Sequence, residues 1–475
     1  MLAFKENTHG PSFSAWKRHN GRIFFSEFEK LELRDKRLEN RALNIFNALQ
    51  SRLTVCVKRL FHDPKQMRQA YDFFSNPKVS RQALIKPHYQ STADRIKASN
   101  ADYIIAIQDD TYLNYSSHKA KTDIGRIGKT GNTDQYGLVQ HSTLCVTNKN
   151  ECLGLIDLQH WHNDDFASDI HADLRPIEDK KTICWINALK NMSQRLAGSE
   201  KEIITVADRE GDFFEFLHAL NKENKSFVIR SNHDRRIGNK KTGEKLSMLL
   251  ENQESIGLID VSIHDANTHE IKNIQLKIKR LKDIEISAPS KSGSKKNGNN
   301  YQPIKLNIVM PYNENYRWIL FTELPVDELT DCHHVIKIYK ERWHIEDYHK
   351  ILKTGYQIDE LYLHSSRQAI ESALTMASIS ACRLYWMIYT GRVDGAIKAD
   401  QVFKEYEWKC LYVYFKEPIP TEAPKLAEVI IKIAKLGGYK TKNNSGPPGI
   451  KIMWLGFQGF TIAAEMYANV LSTKT

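Results

Sequence analysis

The residue types best able to carry chemistry form a polar stripe near residue 345. Counted from Tyr339, the residues Arg342, Glu346 and Lys353 follow at offsets of three, seven and fourteen. A helix that turns about 100° per residue would hold all four within about 60° of one another. A carboxylate between two cations suits a divalent metal ion on Glu346 and DNA phosphates on Arg342 and Lys353. A ladder of surface ion pairs is the alternative.

Two aspartates at the ends of apolar runs add to this stripe. The runs 103–109 and 203–208 predict buried strands that end in Asp109 and Asp208. If the strands are neighbours, these two side chains and Glu346 could bind two hard cations roughly 3.5–4 Å apart, as in phosphoryl transfer. An Asp at such a junction can also simply cap a helix. The prediction therefore depends on the three acids together.

The order of the predicted elements would bring these acids together. After the Asp109 strand come a hairpin (137–147 and 152–160), a helix (180–196), the Asp208 strand, a helix (212–221), a strand (226–231) and finally the Glu346 helix. This order predicts an α/β, RNase H-like (retroviral-integrase-type) catalytic domain, in which the first and fourth strands lie side by side. The long stretch before the Glu346 helix has β-type composition and predicts an inserted β-rich subdomain over 232–325.

Several motifs are shared with a known family. They are the Asp of Ile107-Gln108-Asp109, the triplet Asp208-Arg209-Glu210, the spacing Y-x2-R-x3-E-x6-K from Tyr339 to Lys353, and the phrases GLVQHS (137–142) and YDFFSNPKVS (71–80). On these residues the chain resembles, nearly end to end, the insertion-sequence-four family of cut-and-paste DDE transposases, and within it the transposon-five group. The signature is specific when it follows two strand-end aspartates.

The resemblance implies a homodimeric, Mg²⁺-dependent enzyme with two ions in each active site, for which Mn²⁺ can substitute. Such an enzyme binds the inverted-repeat ends of its transposon in a synaptic complex. It cleaves double-stranded DNA through a hairpin intermediate and joins the 3′-OH to target DNA. Asp109, Asp208 and Glu346 would be the metal ligands. A nuclease or resolvase that cuts without joining, and an inactive relative that only binds and represses DNA ends, are the alternatives; the presence of all three acids argues against the second.

The resemblance also assigns contacts with DNA. Tyr339, Arg342 and Lys353 would hold phosphates, Lys350 and Arg230 would add further contacts, and Trp318 would stack beside a base flipped out at the hairpin. From the sequence alone, a core residue packed against neighbouring strands is the favoured interpretation of Trp318. The sequence departs from the family pattern at Asp110, which follows the expected acid directly. The register of this strand against the family pattern assigns the metal ligand to Asp109, with Asp110 as the alternative.

Charge and length suggest how the chain is divided. The 475 residues carry a net charge of +11, and residues 1–90 hold 17 Lys and Arg against 8 Asp and Glu. A basic, helix-patterned module predicts a polyanionic partner, although a merely basic surface would look the same. We expect a helical DNA-binding domain at 1–88, the catalytic domain at 89–390 and a helical dimerisation domain at 391–475. Trp454, Phe457 and Phe460 have helical spacing typical of a core stripe, and the resemblance favours a dimer contact there.

Other features of the sequence bear on the cellular compartment of the protein. Seven scattered cysteines without a C-x-x-C pair argue against a disulfide framework and against a zinc site. No apolar leader is evident near Met1, and the apolar stretch 370–389 contains Glu371 and Arg383, which favours a buried helix over a membrane span. We expect a bacterial, cytoplasmic protein that acts on DNA, away from the membrane. The Lys-rich stretch 288–303, which contains no acid, predicts a flexible basic loop.

Overall fold

The computed structural model describes most of the chain. The described residues are 27–118, 121, 123–166, 169–171, 174–238, 243–264, 271–288, 301–361, 363, 366–393, 397–440 and 448–473. Most of the basic loop predicted at 288–303 and the first 26 residues of the predicted DNA-binding domain lie outside these ranges.

Four helices come first in the described chain. They are α1 (Lys36–Arg52), α2 (Val57–Leu60), α3 (Pro64–Phe74) and α4 (Arg81–Ala98). The side chains of Asp35, Asp63 and Ser80 accept hydrogen bonds from backbone amides in the first turns of α1, α3 and α4. These caps satisfy amides that have no partner within the helix. Pro64 occupies the first position of α3, where the missing N–H of proline costs no hydrogen bond.

Ten strands of the described chain form one mixed sheet. They are β1 (Tyr103–Asn114), β2 (Gly125–Thr130), β3 (Thr133–Thr147), β4 (Cys152–Trp161), β5 (Glu202–Ala207), β6 (Phe227–Arg230), β7 (Gly257–His264), β8 (Ile271–Ile286), β9 (Ile304–Tyr312) and β10 (Leu320–Thr322). Their order is β2-β3-β1-β5-β6-β10-β9-β8-β7, and β4 pairs with the other part of β3. The expected neighbours, β1 and β5, pair in parallel.

Further helices lie between and after these strands along the chain. They are α5 (Ile183–Arg195), α6 (Phe214–Lys222), α7 (Leu246–Glu251), α8 (Leu329–Lys340), α9 (Trp343–Lys350), α10 (Arg367–Val393), α11 (Glu405–Tyr414), α12 (Leu426–Leu436) and α13 (Ile450–Ser472). Two buried apolar clusters result. One lies between the sheet and the helices on the α10 side, and the other lies between the sheet and α5 and α6.

The first strand is longer than the sequence predicted. The apolar run ends at Asp109, but β1 continues to Asn114 because β3 pairs with it antiparallel from Ile104 to Asn114. The parallel pairing with β5 stops earlier, with Gln108 opposite Ala207. Asp109 is therefore the first residue beyond the parallel ladder and lies inside a strand rather than at its end. The strand that precedes Asp208 ends as predicted.

The strand-rich segment within 232–325 continues the main sheet. Its strands β7 to β10 join through β10, which pairs antiparallel with β6. Trp318 lies two residues before β10, where its backbone amide donates to the carbonyl of Pro311 at 3.1 Å.

The single helix predicted through Tyr339, Arg342, Glu346 and Lys353 is wrong. At Glu341 and Arg342 the backbone hydrogen bonds reach back three residues instead of four, and this separates α8 from α9. The rings of Trp343 and His344 then pack against tyrosines of α10. A π-helical turn over 351–355 follows, and it carries Lys353.

The C-terminal helices contain the most apolar stretch of the chain. Residues 372–389 of α10 are all buried, which confirms the predicted core helix. None of the helices in the described chain is long and apolar enough to cross a membrane. Phe457 and Phe460 of α13 are also buried in the chain's own core. The aromatic stripe therefore does not supply an exposed dimer contact at these two positions.

Candidate active site

Asp109 and Asp208 lie side by side at the edge where β1 and β5 stop pairing. Gln108 is opposite Ala207 in this parallel ladder, so the two aspartates follow on adjacent strands, which are separated by about 4.8 Å. The Asp208 side chain also caps a short 3₁₀ turn over Arg209–Gly211 by accepting from the amide of Glu210 at 2.8 Å. The capping role considered for this residue and its place beside Asp109 therefore coexist.

The environment of Asp109 disfavours its negative charge. Burial, followed by the nearby charge of Asp208, raises the pKa of Asp109 to about 7, although the Arg342 guanidinium acts in the opposite direction. Only 15% of the Asp109 side chain is exposed. Two carboxylates held this closely need positive charge between them before both ionise at neutral pH.

Arg342 connects the third acid to this pair. Its guanidinium lies 3.9 Å from Oδ2 of Asp109 and forms an ion pair with Glu346 one helical turn away. The Glu346 side chain is 57% exposed. Among the described residues, the three acids are not gathered into one compact cluster. The structure brings Asp109 and Asp208 together directly, and Glu346 faces them across the Arg342 guanidinium.

His349 is a buried residue beside Asp109 that the sequence did not predict as part of the site. Its Nδ1 lies 3.8 Å from Asp109 Oδ2, and its Nε2 lies 3.3 Å from the Ser142 hydroxyl. Burial, assisted by the charges of Lys353, His141 and Arg342, lowers the pKa of His349 to about 3, so the ring is neutral. Its position three residues after Glu346 puts it on the same helical face, which is the signal that could have found it.

Asp110 lies on the opposite face of the sheet from Asp109. Successive side chains of a strand point to opposite faces, and the Asp110 carboxylate accepts from His141 Nδ1 at 2.8 Å on the side covered by α5. Asp109 instead faces α9, with Arg342 and His349. The structure thus separates the two adjacent acids and brings Asp109 alone to the side of Glu346.

The predicted DNA contacts fall into two groups around this centre. Tyr339 is buried, interacts with the Arg230 side chain and meets the ring of Trp318 edge to face at 5.6 Å. Burial raises the pKa of Tyr339, so it stays a neutral phenol. Trp318 is half-buried, neither a full core residue nor a free surface one. Lys353 is half-buried near His349, and Lys350 is exposed at the end of α9.

The donor set of the three acids fits hard divalent cations. All the side chains are carboxylates, which Mg²⁺ and Mn²⁺ prefer. Burial and then the charge of Asp208 raise the pKa of Asp109, and a cation bound beside it would favour the ionised carboxylate. One rearrangement is required, because Glu346 must leave Arg342 to complete the set.

Three protein-family models match the chain. The one described as "Transposase DDE domain" matches residues 88–382, more than half of the chain. The one described as "Transposase DNA-binding" matches residues 23–79. The third, "Transposase Tn5 dimerisation domain", matches residues 379–474. The first of these ranges contains every residue of the candidate site.

Proposed function

The chain belongs to the DDE transposase family, and from this premise we propose that it cleaves the ends of its own transposon through a DNA hairpin and joins the freed 3′-OH to target DNA. It is a DNA transposase with DNA-binding and dimerisation domains. The finer division proposed here is a DNA-binding domain at 1–88, a catalytic domain at 89–390 with the β-rich segment 232–325, and a dimerisation domain at 391–475.

The placement of Asp109 beside Asp208 is the observation that carries the proposal. The order of the strands around them, β4-β3-β1-β5-β6, supports an RNase H-like fold with the acids on its two central strands. Asp109, Asp208 and Glu346 are the proposed ligands of two Mg²⁺ ions. Bound there, the ions would activate the attacking oxygen and stabilise the leaving oxygen on phosphorus.

Arg342 has a positioning role in this scheme. Its guanidinium now bridges Asp109 and Glu346. A DNA phosphate is a bidentate partner for the same group. Phosphate binding would therefore draw Arg342 away from Glu346 and free this carboxylate for the cation. Arrival of DNA and completion of the acidic triad become a single event.

A second group of side chains is proposed to bend the DNA. Tyr339 meets the ring of Trp318 and interacts with Arg230, and the charges of Arg342 and Asp208 act on its hydroxyl. The proposed roles are phosphate contacts for Arg230 and Tyr339 and base stacking for Trp318, with Lys350 and Lys353 on the backbone of the same strand. Stacking on an aromatic ring is worth roughly 1–3 kcal/mol, which is comparable to the cost of flipping a base.

The proposed dimer contact lies on α13. Apolar side chains stay exposed along one side of this helix at Leu455, Ile462, Met466 and Val470. Their spacings of seven, four and four residues keep them close to one line on the helix surface. Two copies of the chain could bury these lines against each other, and each copy would bring one transposon end to a synaptic complex.

The experiment uses the full chain, Mg²⁺ and DNA that carries the inverted repeats flanking its coding region. Wild type should yield nicked, hairpin and joined products in that order on denaturing gels. Glu346→Ala should bind the ends normally, because phosphate contacts elsewhere carry most of the affinity, and should form no product. Glu405→Ala, an exposed glutamate paired with Lys409 on α11, is the matched control and should cut at the wild-type rate.

Two outcomes would contradict the proposal. Normal cleavage by Glu346→Ala would reject the active site. Cleavage by wild type without any joined product would instead indicate a nuclease that cuts only.

A further inference from the structure

Three potential ligands of different chemistry meet behind the active site. Asp110 comes from β1, His141 from β3 and Cys184 from the first turn of α5. One ligand atom from each lies within 4.8 Å of those from the other two. Among the described residues this is the one group of three or more acids, histidines or cysteines packed so closely. His141 and Cys184 are buried, and 5% of the Asp110 side chain is exposed.

The orientation of the His141 ring suits a ligand. Its Nε2 lies 3.1 Å from Oε1 of the buried Gln108, an oxygen that can only accept, so Nε2 carries a proton. Nδ1 points at Asp110, 2.8 Å away, on the side of Cys184, and in the protein without metal it donates its own proton to that carboxylate. A histidine that binds a metal through one nitrogen usually donates its other N–H to a carbonyl or carboxylate in this way.

We propose that Asp110, His141 and Cys184 form a binding site for one thiophilic divalent cation, of which Zn²⁺ is the typical example, separate from the Mg²⁺ site. Sulfur, imidazole nitrogen and a carboxylate oxygen together are a zinc-type donor set. The three residues lie far apart in the sequence, so the absence of a C-x-x-C pair, which argued against a zinc site, does not bear on this one. The three acids of the active site offer oxygen alone. The Glu210 carboxylate, which interacts electrostatically with both Asp110 and His141, or a water would complete four ligands.

Binding must displace the proton from the Cys184 thiol and the proton that His141 Nδ1 donates to Asp110, since only the thiolate and the free nitrogen lone pair bind metal. The cation would tie β1, β3 and α5 together directly behind Asp109. A buried His141–Asp110 ion pair next to a neutral thiol is the competing explanation for the same contacts. The two explanations differ in whether the Cys184 sulfur binds a metal ion that is added to the protein.

Co²⁺ distinguishes them, because it replaces Zn²⁺ and its bond to a thiolate gives an intense near-ultraviolet charge-transfer absorption. Full-length protein freed of metal is titrated with Co²⁺ in excess Mg²⁺, which occupies the oxygen-only site. Wild type should bind one Co²⁺ per chain with this absorption. Cys184→Ser should lose it. Cys410→Ser is the matched control, because Cys410 is another buried cysteine. Its thiol donates to the Glu407 carbonyl at 3.0 Å, and a serine hydroxyl can donate to the same oxygen.

Two further variants keep the test decisive. Asp110→Asn should retain the absorption but weaken Co²⁺ binding about tenfold or more, the loss typical even of outer-shell changes at metal sites. Asp109→Asn should lose DNA cleavage and keep the cobalt spectrum, so failure of the proposed function and failure of this site remain distinguishable. Wild type without the absorption, or Cys184→Ser with it, would overturn the proposal. The wild-type result decides even if Cys184→Ser fails to fold.

Discussion

Asp109→Asn is expected to stabilise the protein in Mg²⁺-free buffer above neutral pH while it abolishes cleavage. Burial and then the charge of Asp208 raise the pKa of Asp109 from 3.8 to about 7. Between these values the folded protein keeps a proton that the unfolded chain has released, so wild-type stability falls as pH rises. Asparagine keeps the shape of the side chain and has no charge to bury.

The size of this effect follows from the pKa difference. Each pH unit between the two pKa values costs wild type about 1.4 kcal/mol of unfolding free energy. The advantage of Asp109→Asn should be close to zero near pH 3.8. It should reach about 1.5 kcal/mol at about pH 5 and about 4 kcal/mol at about pH 8. With 15% of the side chain exposed, solvent screens little of this cost.

Calorimetry in EDTA, at about pH 5 and about pH 8, measures the thermal unfolding of the domain that contains the sheet. An advantage that grows by about 2.5 kcal/mol between these conditions corresponds to several degrees in the transition midpoint. Asp72→Asn, at an exposed position of α3, is the control and should move neither midpoint. An equal advantage at both pH values, or none at about pH 8, would refute the argument from buried charge.

Three further predictions concern DNA and assembly. Arg342→Ala and Lys353→Ala should each weaken end binding and lower its log–log salt slope by about one, as measured by gel shift; unchanged slopes would indicate surface ion pairs. Trp318→Ala should fold normally and nick the first strand at the wild-type rate but slow hairpin formation at least tenfold, whereas a lowered melting temperature with uniform loss of activity would indicate a core role. Met466→Glu, at a position 65% exposed, should reduce dimer formation in analytical ultracentrifugation without lowering the melting temperature, and an unchanged dimer would remove α13 from the contact.

Local patterns in the sequence were sufficient to predict much of the fold. Apolar runs ending in an acid predicted β1 and β5, and the order of strands and helices predicted that these two strands are neighbours. The spacing of apolar residues, every second position in a strand and every three to four in a helix, follows from the backbone geometry of each segment by itself. The same reasoning predicted the buried helix α10, because an apolar stretch with two charges can be covered by protein on all sides.

Features that depend on partners distant in sequence could not be predicted in this way. The extension of β1 to Asn114 exists because β3 pairs with it. The break between α8 and α9 accompanies the packing of Trp343 and His344 on α10. Neither partner is visible within a local window of residues, so both predictions followed the local pattern and were wrong.

The two faces of one strand show where the sequence stops determining the site. The sequence placed Asp109 and Asp110 next to each other, and the pleat of a strand then requires them to face opposite ways. Which face meets Glu346 and which meets His141 and Cys184 was decided only when α9 and α5 packed on the two sides of the sheet. Burial of apolar helix faces makes that choice, and it involves residues more than 70 positions apart.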